Sequence, residues 1–239
     1  MDDVLDNGDP GMRRTVARTQ ELTEAQIDRA LSDKDVEVRR AVVVRQKLTE
    51  KQVGRALRDK DPVVICLTAW NQKLTERQVG KALRNKDAAV RRAAVAEQKL
   101  TERQVDKELG DKDIGVRRML VWSQRLTEKQ ASRAFDDEDQ EVRGTAAGHQ
   151  KLTEQQIEKA LADIVPSVRG MAAGNQKLTE QQIDRALDDE EPYVRRMAAL
   201  KQELTERQIE KALHDKDRDV VRAARTRAMM KQYLRSDEK

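Results

Sequence analysis

The tripeptide Leu-Thr-Glu returns every 26 residues along this 239-residue chain, its leucines falling at Leu22, Leu48, Leu74, Leu100, Leu126, Leu152, Leu178 and Leu204. A fixed period of that length specifies a stacked array of like units, each covering the apolar face of its neighbour. It predicts one continuous array in place of independent globular domains. It also turns the functional question toward an extended surface before an enclosed active site.

The unit from Leu48 to Lys73 shows how each repeat is built. Thr49 with Gln52 three residues on is a capping box, and Leu48 with Val53 has the spacing of a hydrophobic staple. Val53, Ala56 and Leu57 form an inward stripe on a first helix expected over about Glu50 to Arg58. Asp59-Lys60-Asp61 is the turn. Asp61 caps a second helix and Pro62 occupies its first position, where a missing N–H costs nothing; Pro10, Pro166 and Pro192 stand equivalently. On that helix Val38, Ala41, Val42 and Arg45 share one arc in the first full unit, while Arg40 and Val44 point outward. The fold expected is all-α, a right-handed α-solenoid of about eight and a half 26-residue two-helix repeats. Residues 1–19 form an N-terminal partial or capping repeat, with Met12 where later units place valine. Residues 20–227 hold eight repeats, and residues 228–239 a capping helix extension and tail with Met229, Met230, Tyr233 and Leu234 as its apolar side.

Charged residues make up 38% of the chain and aromatics 2%, which suits small aliphatic side chains between thin helices with wide wet faces. The lone Cys66 excludes an internal disulfide framework and fits a reducing, cytoplasmic setting. The acidic start MDDVLDNGDP lacks a signal-peptide core, and no stretch approaches the roughly 20 apolar residues of a membrane span. Net charge is +4 but segmented: Val38 to Arg125 holds 22 basic and 11 acidic residues, Leu126 to Glu191 8 and 15.

The frame Asp87 to Ala93 (DAAVRRA) resembles short HEAT-like α-solenoid repeats, and the chain is similar to the bacterial leucine-rich repeat variant family from about Val4 to Arg227. The resemblance implies that the second helices line a concave side. The type member of that family carries a cysteine-ligated iron–sulfur module. With one cysteine here, that cofactor is not carried over, and no other cofactor or metal is implied.

The first arginine of each Val-Arg pair recurs at Arg39, Arg91, Arg117, Arg143, Arg169 and Arg195, with Asp35, Asp87, Asp113, Asp139 or Glu191 four residues earlier in five of these units, the spacing of a helical ion pair. A structural ladder between repeats explains it better than ligand binding. Ile65 and Val221 replace the arginine in two units, and Val165 replaces the acid in one. The next position changes from unit to unit: Arg40, Cys66, Arg92, Arg118, Gly144, Gly170, Arg196, Arg222. The position four further on reads Val44, Trp70, Ala96, Trp122, Gly148, Gly174, Leu200, Thr226. Constant caps and core beside a varying stripe are what a scaffold with a bespoke surface shows. Trp70 and Trp122, the only tryptophans, share one outward register and are either candidate binding anchors or side chains packed against the adjacent repeat. Gly144, Gly148, Gly170 and Gly174 either expose backbone for a partner's close approach or mark an undemanding surface.

Catalysis finds little in the sequence. His149 and His214 occupy non-equivalent positions, one cysteine and two histidines exclude a four-ligand Cys/His zinc site within the chain, and no phosphate-binding loop or nucleophile elbow occurs. The function expected is a non-enzymatic, monomeric protein- or peptide-binding scaffold using Trp70, Trp122, Arg40, Arg92, Arg118, the four glycines, Arg196 and Leu200. The alternative is nucleic-acid binding by residues 38–125.

Overall fold

The computed structural model describes residues 2–236, with side chains through residue 231. Among them are 18 α-helices and no strand, dividing into two compact units, residues 1–124 and 125–239. In the first unit α1 (Asp2–Asn7) precedes the second-helix layer α2 (Pro10–Thr19), α4 (Val36–Arg45), α6 (Pro62–Asn71), α8 (Ala88–Glu97) and α10 (Ile114–Ser123). Its first helices are α3 (Glu24–Ala30), α5 (Glu50–Ala56), α7 (Glu76–Ala82) and α9 (Glu102–Glu108). In the second unit the first helices are α11 (Glu128–Phe135), α13 (Glu154–Leu161), α15 (Glu180–Leu187) and α17 (Glu206–Leu213). They alternate with α12 (Gln140–His149), α14 (Pro166–Asn175), α16 (Pro192–Lys201) and α18 (Arg218–Ser236). Within each unit successive second helices pack along their length, while successive first helices hardly touch. The expected α-solenoid of paired helices is the fold.

The local signals work as the sequence predicts. Thr49 N–H donates to Gln52 Oε1 at 3.0 Å and Gln52 N–H to Thr49 Oγ1 at 3.4 Å, and the same reciprocal cap opens each first helix from α3 to α17. Pro10, Pro62, Pro166 and Pro192 start α2, α6, α14 and α16. Val165 and Glu191 provide no side-chain cap, so there the proline's fixed φ supports the helix start alone. The first helix of the second repeat ends at Ala56, short of Arg58. Arg58 N–H donates to Arg55 O at 2.8 Å and Asp59 N–H to Ala56 O at 3.1 Å, a tightened last turn that redirects the chain.

Helices of seven to ten residues are marginal alone, so stability comes from packing between repeats. Val38, Val64, Val90 and Val116, one per unit, are fully buried. Met12 stands in the same register but is half exposed, because among the described residues α2 begins its layer and has a second helix on one side only. At the other end α18 runs to Ser236, yet Met229 and Met230 face solvent, so they form no packed apolar side. The side chains of Tyr233 and Leu234 lie outside the described residues.

The recurrent arginine does not pair within its own helix. Arg39 is buried and grips Asp59 of the next repeat, 2.7 Å from Nε to Oδ2, while its Nη1 donates to Asp33 O at 2.8 Å. Arg13–Asp33, Arg91–Asp111, Arg143–Asp163, Arg169–Asp189 and Arg195–Asp215 repeat this geometry at 2.6–2.8 Å. The predicted inter-repeat ladder exists, but its acid lies 20 residues downstream of the arginine and not four upstream. Asp35, the residue expected as partner, instead caps α4 by accepting from Glu37 N–H. Burial alone would raise the Asp111 pKa; hydrogen bonds from Arg91 and from Asp113 N–H, with the arginine's charge, hold it below the ordinary carboxylate value.

A second ladder was not anticipated. Gln72 Nε2 donates to Val43 O at 2.8 Å and Gln46 O at 2.9 Å, and its Oε1 accepts from Leu48 N–H at 3.1 Å. Gln46, Gln98 and Gln202 do the same at their junctions. The amide thus satisfies two carbonyls and one N–H at the buried exit of the preceding second helix, groups that would otherwise be costly to bury. Its signal was a glutamine two residues before every Leu-Thr-Glu, from Gln20 to Gln202.

Candidate functional site

The second-helix layer of the first unit carries both tryptophans. Trp70 lies two residues before the C-cap Gln72 of α6, and Trp122 two residues before Gln124 of α10. Gln124 Nε2 donates to Val95 O at 2.7 Å and Gln98 O at 3.1 Å. The glutamine ladder therefore fixes the helix turns from which both indoles project. Trp70 is 49% exposed and Trp122 58% exposed, large values for the most apolar bulk in a chain so poor in aromatics.

The arginines of the stripe are not equivalent. Arg92 and Arg118 are exposed on α8 and α10. Arg40 is half-buried between Glu37, at 2.6 Å, and Asp61 of the next repeat, at 3.1 Å. The hydrogen bond to Asp61 keeps its guanidinium pKa raised against the cost of burial, so its charge is already matched. Cys66, in the same register, is half-buried with Sγ 3.5 Å from Ala89 O. Burial pushes its thiol up and Asp87 adds to this, which disfavours the thiolate a nucleophile needs.

In the second unit the stripe is built differently. The wheel places Gly144 and Gly170 outward, but both are buried. A Cβ on Gly170 would lie 2.1 Å from the ring of Tyr193, and one on Gly148 or Gly174 would lie 2.3 Å from the terminal methyl of Met171 or Met197. Gly148, Gly170 and Gly174 are notches that receive side chains of the next repeat, so the outermost atoms there are Tyr193 and the methionines and not bare backbone, while Gly144 has only an ordinary contact with Val168. Tyr193 in turn supports Arg196, whose guanidinium carbon stands 5.8 Å from the ring centroid. Leu200 is half-buried beside this patch. The structure thus groups Gly170, Tyr193 and Arg196, a cluster in which sequence reading named the outer two and missed the tyrosine.

Among the described residues no group of three or more His, Cys, Asp or Glu side chains is arranged to hold a metal ion, and no helix is long and apolar enough to cross a membrane.

Paired helices, buried inter-repeat ladders and a second-helix stripe that varies from repeat to repeat define a helical-repeat protein of α-solenoid architecture. No protein-family model and no curated protein matches the chain. Among solved structures it is similar to a leucine-rich repeat variant described as having a novel repetitive structural motif: TM-score 0.64 and 24% identity, covering 86% of each chain. That likeness establishes the fold expected from the Val-Arg and Leu-Thr-Glu frame. YibA of Escherichia coli aligns over 91% of this chain and 96% of its own at 16% identity, with a TM-score of only 0.40.

Proposed function

We propose that the chain is a non-enzymatic, monomeric cytoplasmic scaffold that binds a protein or peptide over its second-helix layer. The observation that carries this reading is the exposure of Trp70 and Trp122 at one register of α6 and α10. Large rigid aromatics left exposed are the side chains that dominate interface energetics. Closer packing in the second-helix layer than in the first-helix layer supports a concave placement of this face within each unit. Arg92 and Arg118 are exposed in the same layer of the first unit, and Tyr193, Arg196 and Leu200 belong to the second-helix layer of the second unit. Arg40 contributes through position and not through free charge.

Nucleic-acid contact by the same residues is the second reading, favoured by exposed arginines beside exposed aromatics. A pull-down with and without nuclease, comparing wild type with the Trp70→Ala/Trp122→Ala variant, separates the two. A nuclease-resistant protein captured by wild type and lost in the variant supports the scaffold. Capture that the double variant retains in full removes this face from consideration, and enrichment abolished by nuclease favours the second reading.

A further inference from the structure

The first-helix layer holds a site of another kind, independent of the tryptophan face. Across the junctions of the second unit, basic residues of one first helix pair with acids of the preceding repeat. Arg185 pairs with Glu158 at 2.9 Å and Lys211 with Asp188 at 2.6 Å; Lys159 pairs with Asp136 and Arg207 with Asp184. Between α5 and α7 the same registers read differently. Gly54 stands where Glu158 and Asp184 stand, and Arg58 where Asp136 and Asp188 stand. Arg77 and Lys81, the counterparts of Arg207 and Lys211, therefore meet a glycine and a cation. The ladder acid is missing as well: Asn85 replaces aspartate opposite Ile65.

The consequence is a shallow groove of about 700 Å³ lined by Lys51, Arg58, Arg77, Lys81 and Arg84, with Glu50 its one carboxylate. All five cations are exposed, and among the described residues none makes an ion pair. Partial desolvation against the groove wall, and after it the nearby Arg58 charge, lowers the pKa of the Lys81 ammonium. Arg84 continues the site into a second pocket of about 240 Å³ beneath Ile65 and Asn85, where other junctions hold the arginine–aspartate pair. No aromatic side chain lines either space, so nothing there would stack on a base.

We infer that the α5–α7 groove is a binding site for a phosphate-rich ligand, a phosphate chain held by its oxygens with no reading of bases. Three guanidinium forks and two ammonium groups in one groove call for several negative charges close together, which consecutive phosphates supply more densely than spaced carboxylates. The same chemistry comes from free polyphosphate or from a nucleic-acid backbone. Calorimetric titration of the full chain with inorganic tripolyphosphate, with a poly-dT strand and with poly-glutamate distinguishes the sources.

Gly54→Glu with Arg58→Asp restores the two acids that the array uses elsewhere. Open space at Gly54, whose nearest neighbour would be Gln78 Nε2 at 3.6 Å, lets the variant fold. The expected result is phosphate binding weakened by roughly tenfold or more, with a salt dependence shallower by about one for each cation neutralised. Lys81→Gln, which leaves the backbone and core alone, should show a smaller loss in the same direction. Tripolyphosphate binding that is lost in both variants supports a free phosphate chain; loss confined to poly-dT supports a nucleic-acid backbone. Phosphate binding absent in wild type, unchanged in the acid-restoring variant, or weaker than that of poly-glutamate overturns the inference.

Discussion

Two neighbouring junctions of the first unit solve one problem in opposite ways. Where α8 meets the turn after α9, Arg91 is buried and meets Asp111 at 2.6 Å. One repeat earlier Ile65 and Asn85 stand in those two places. The turn itself survives the exchange: Asp111 Oδ1 accepts from Asp113 N–H at 2.8 Å and Asn85 Oδ1 from Asp87 N–H at 2.9 Å. Asparagine keeps the acceptor that makes the turn and gives up the charge that only a buried arginine could match. Charge and countercharge are lost together, which is what the cost of an unpaired buried ion demands. The comparison also assigns two jobs to the aspartate, and substitution can separate them.

The largest effect should come from Asp111→Asn. It spares the turn but strands the Arg91 guanidinium, so unfolding in urea should show a loss of about 3–5 kcal/mol. A loss below about 1 kcal/mol would mean that the pair is incidental. Installing Ile65→Arg and Asn85→Asp together should be far better tolerated than Asn85→Asp alone, a coupling that a double-mutant cycle reads directly. The same ladder sets acid sensitivity. Asp33, Asp111, Asp163, Asp189 and Asp215 all have pKa values below the ordinary 3.8. Their contribution is present at neutral pH and lost as pH falls below 3.8 through the depressed folded values. Acid unfolding followed by circular dichroism should steepen there, and less so in Asp111→Asn.

The next effect runs the other way. Glu108 occupies the register that is alanine in every other full repeat, and it is buried. Burial raises its pKa and the adjoining, hydrogen-bonded Asp111 carboxylate adds to this, against a 3.0 Å hydrogen bond from Lys107 Nζ that favours the charged form. A raised folded pKa means stability falls as pH climbs from the unfolded value of 4.5 through the folded one. Glu108→Ala should therefore stabilise the chain by about 1–2 kcal/mol at neutral pH, and by much less below pH 4.5. A neutral or destabilising result would show that the contacts to Lys107 and Asp111 together compensate the buried carboxyl.

These cases show which parts of the fold a sequence displays. The capping boxes, staples and N1 prolines were legible because their partners lie three or four residues apart. The arginine's true partner lies 20 residues on, across a repeat boundary, and an acid four residues upstream offered a nearer but wrong match. The informative sign was that Ile65 and Asn85 depart from the repeat together. Such paired exceptions report contacts between units. The tryptophans could be placed outward from helical angles alone. The glycines could not, since their surroundings are set by Met171, Tyr193 and Met197, which arrive from the following helix.

The smallest prediction tests that last point within the second unit. A Cβ on Gly144 would sit 3.8 Å from Val168 Cγ2, an ordinary contact, so Gly144→Ala should gain helix propensity unopposed, about 0.8–1 kcal/mol. On Gly170 the same atom would stand 2.1 Å from Cε1 and 2.6 Å from Cδ1 of Tyr193. Gly170→Ala must displace the ring and with it the support of Arg196, and the overpacking, about 1–3 kcal/mol, cancels or exceeds the propensity gain. Thermal melts should therefore move in opposite directions, or Gly170→Ala should at best stay level while Gly144→Ala rises. If both rise alike, Tyr193 leaves its notch freely, and the second unit's stripe is a loose surface and not a packed one.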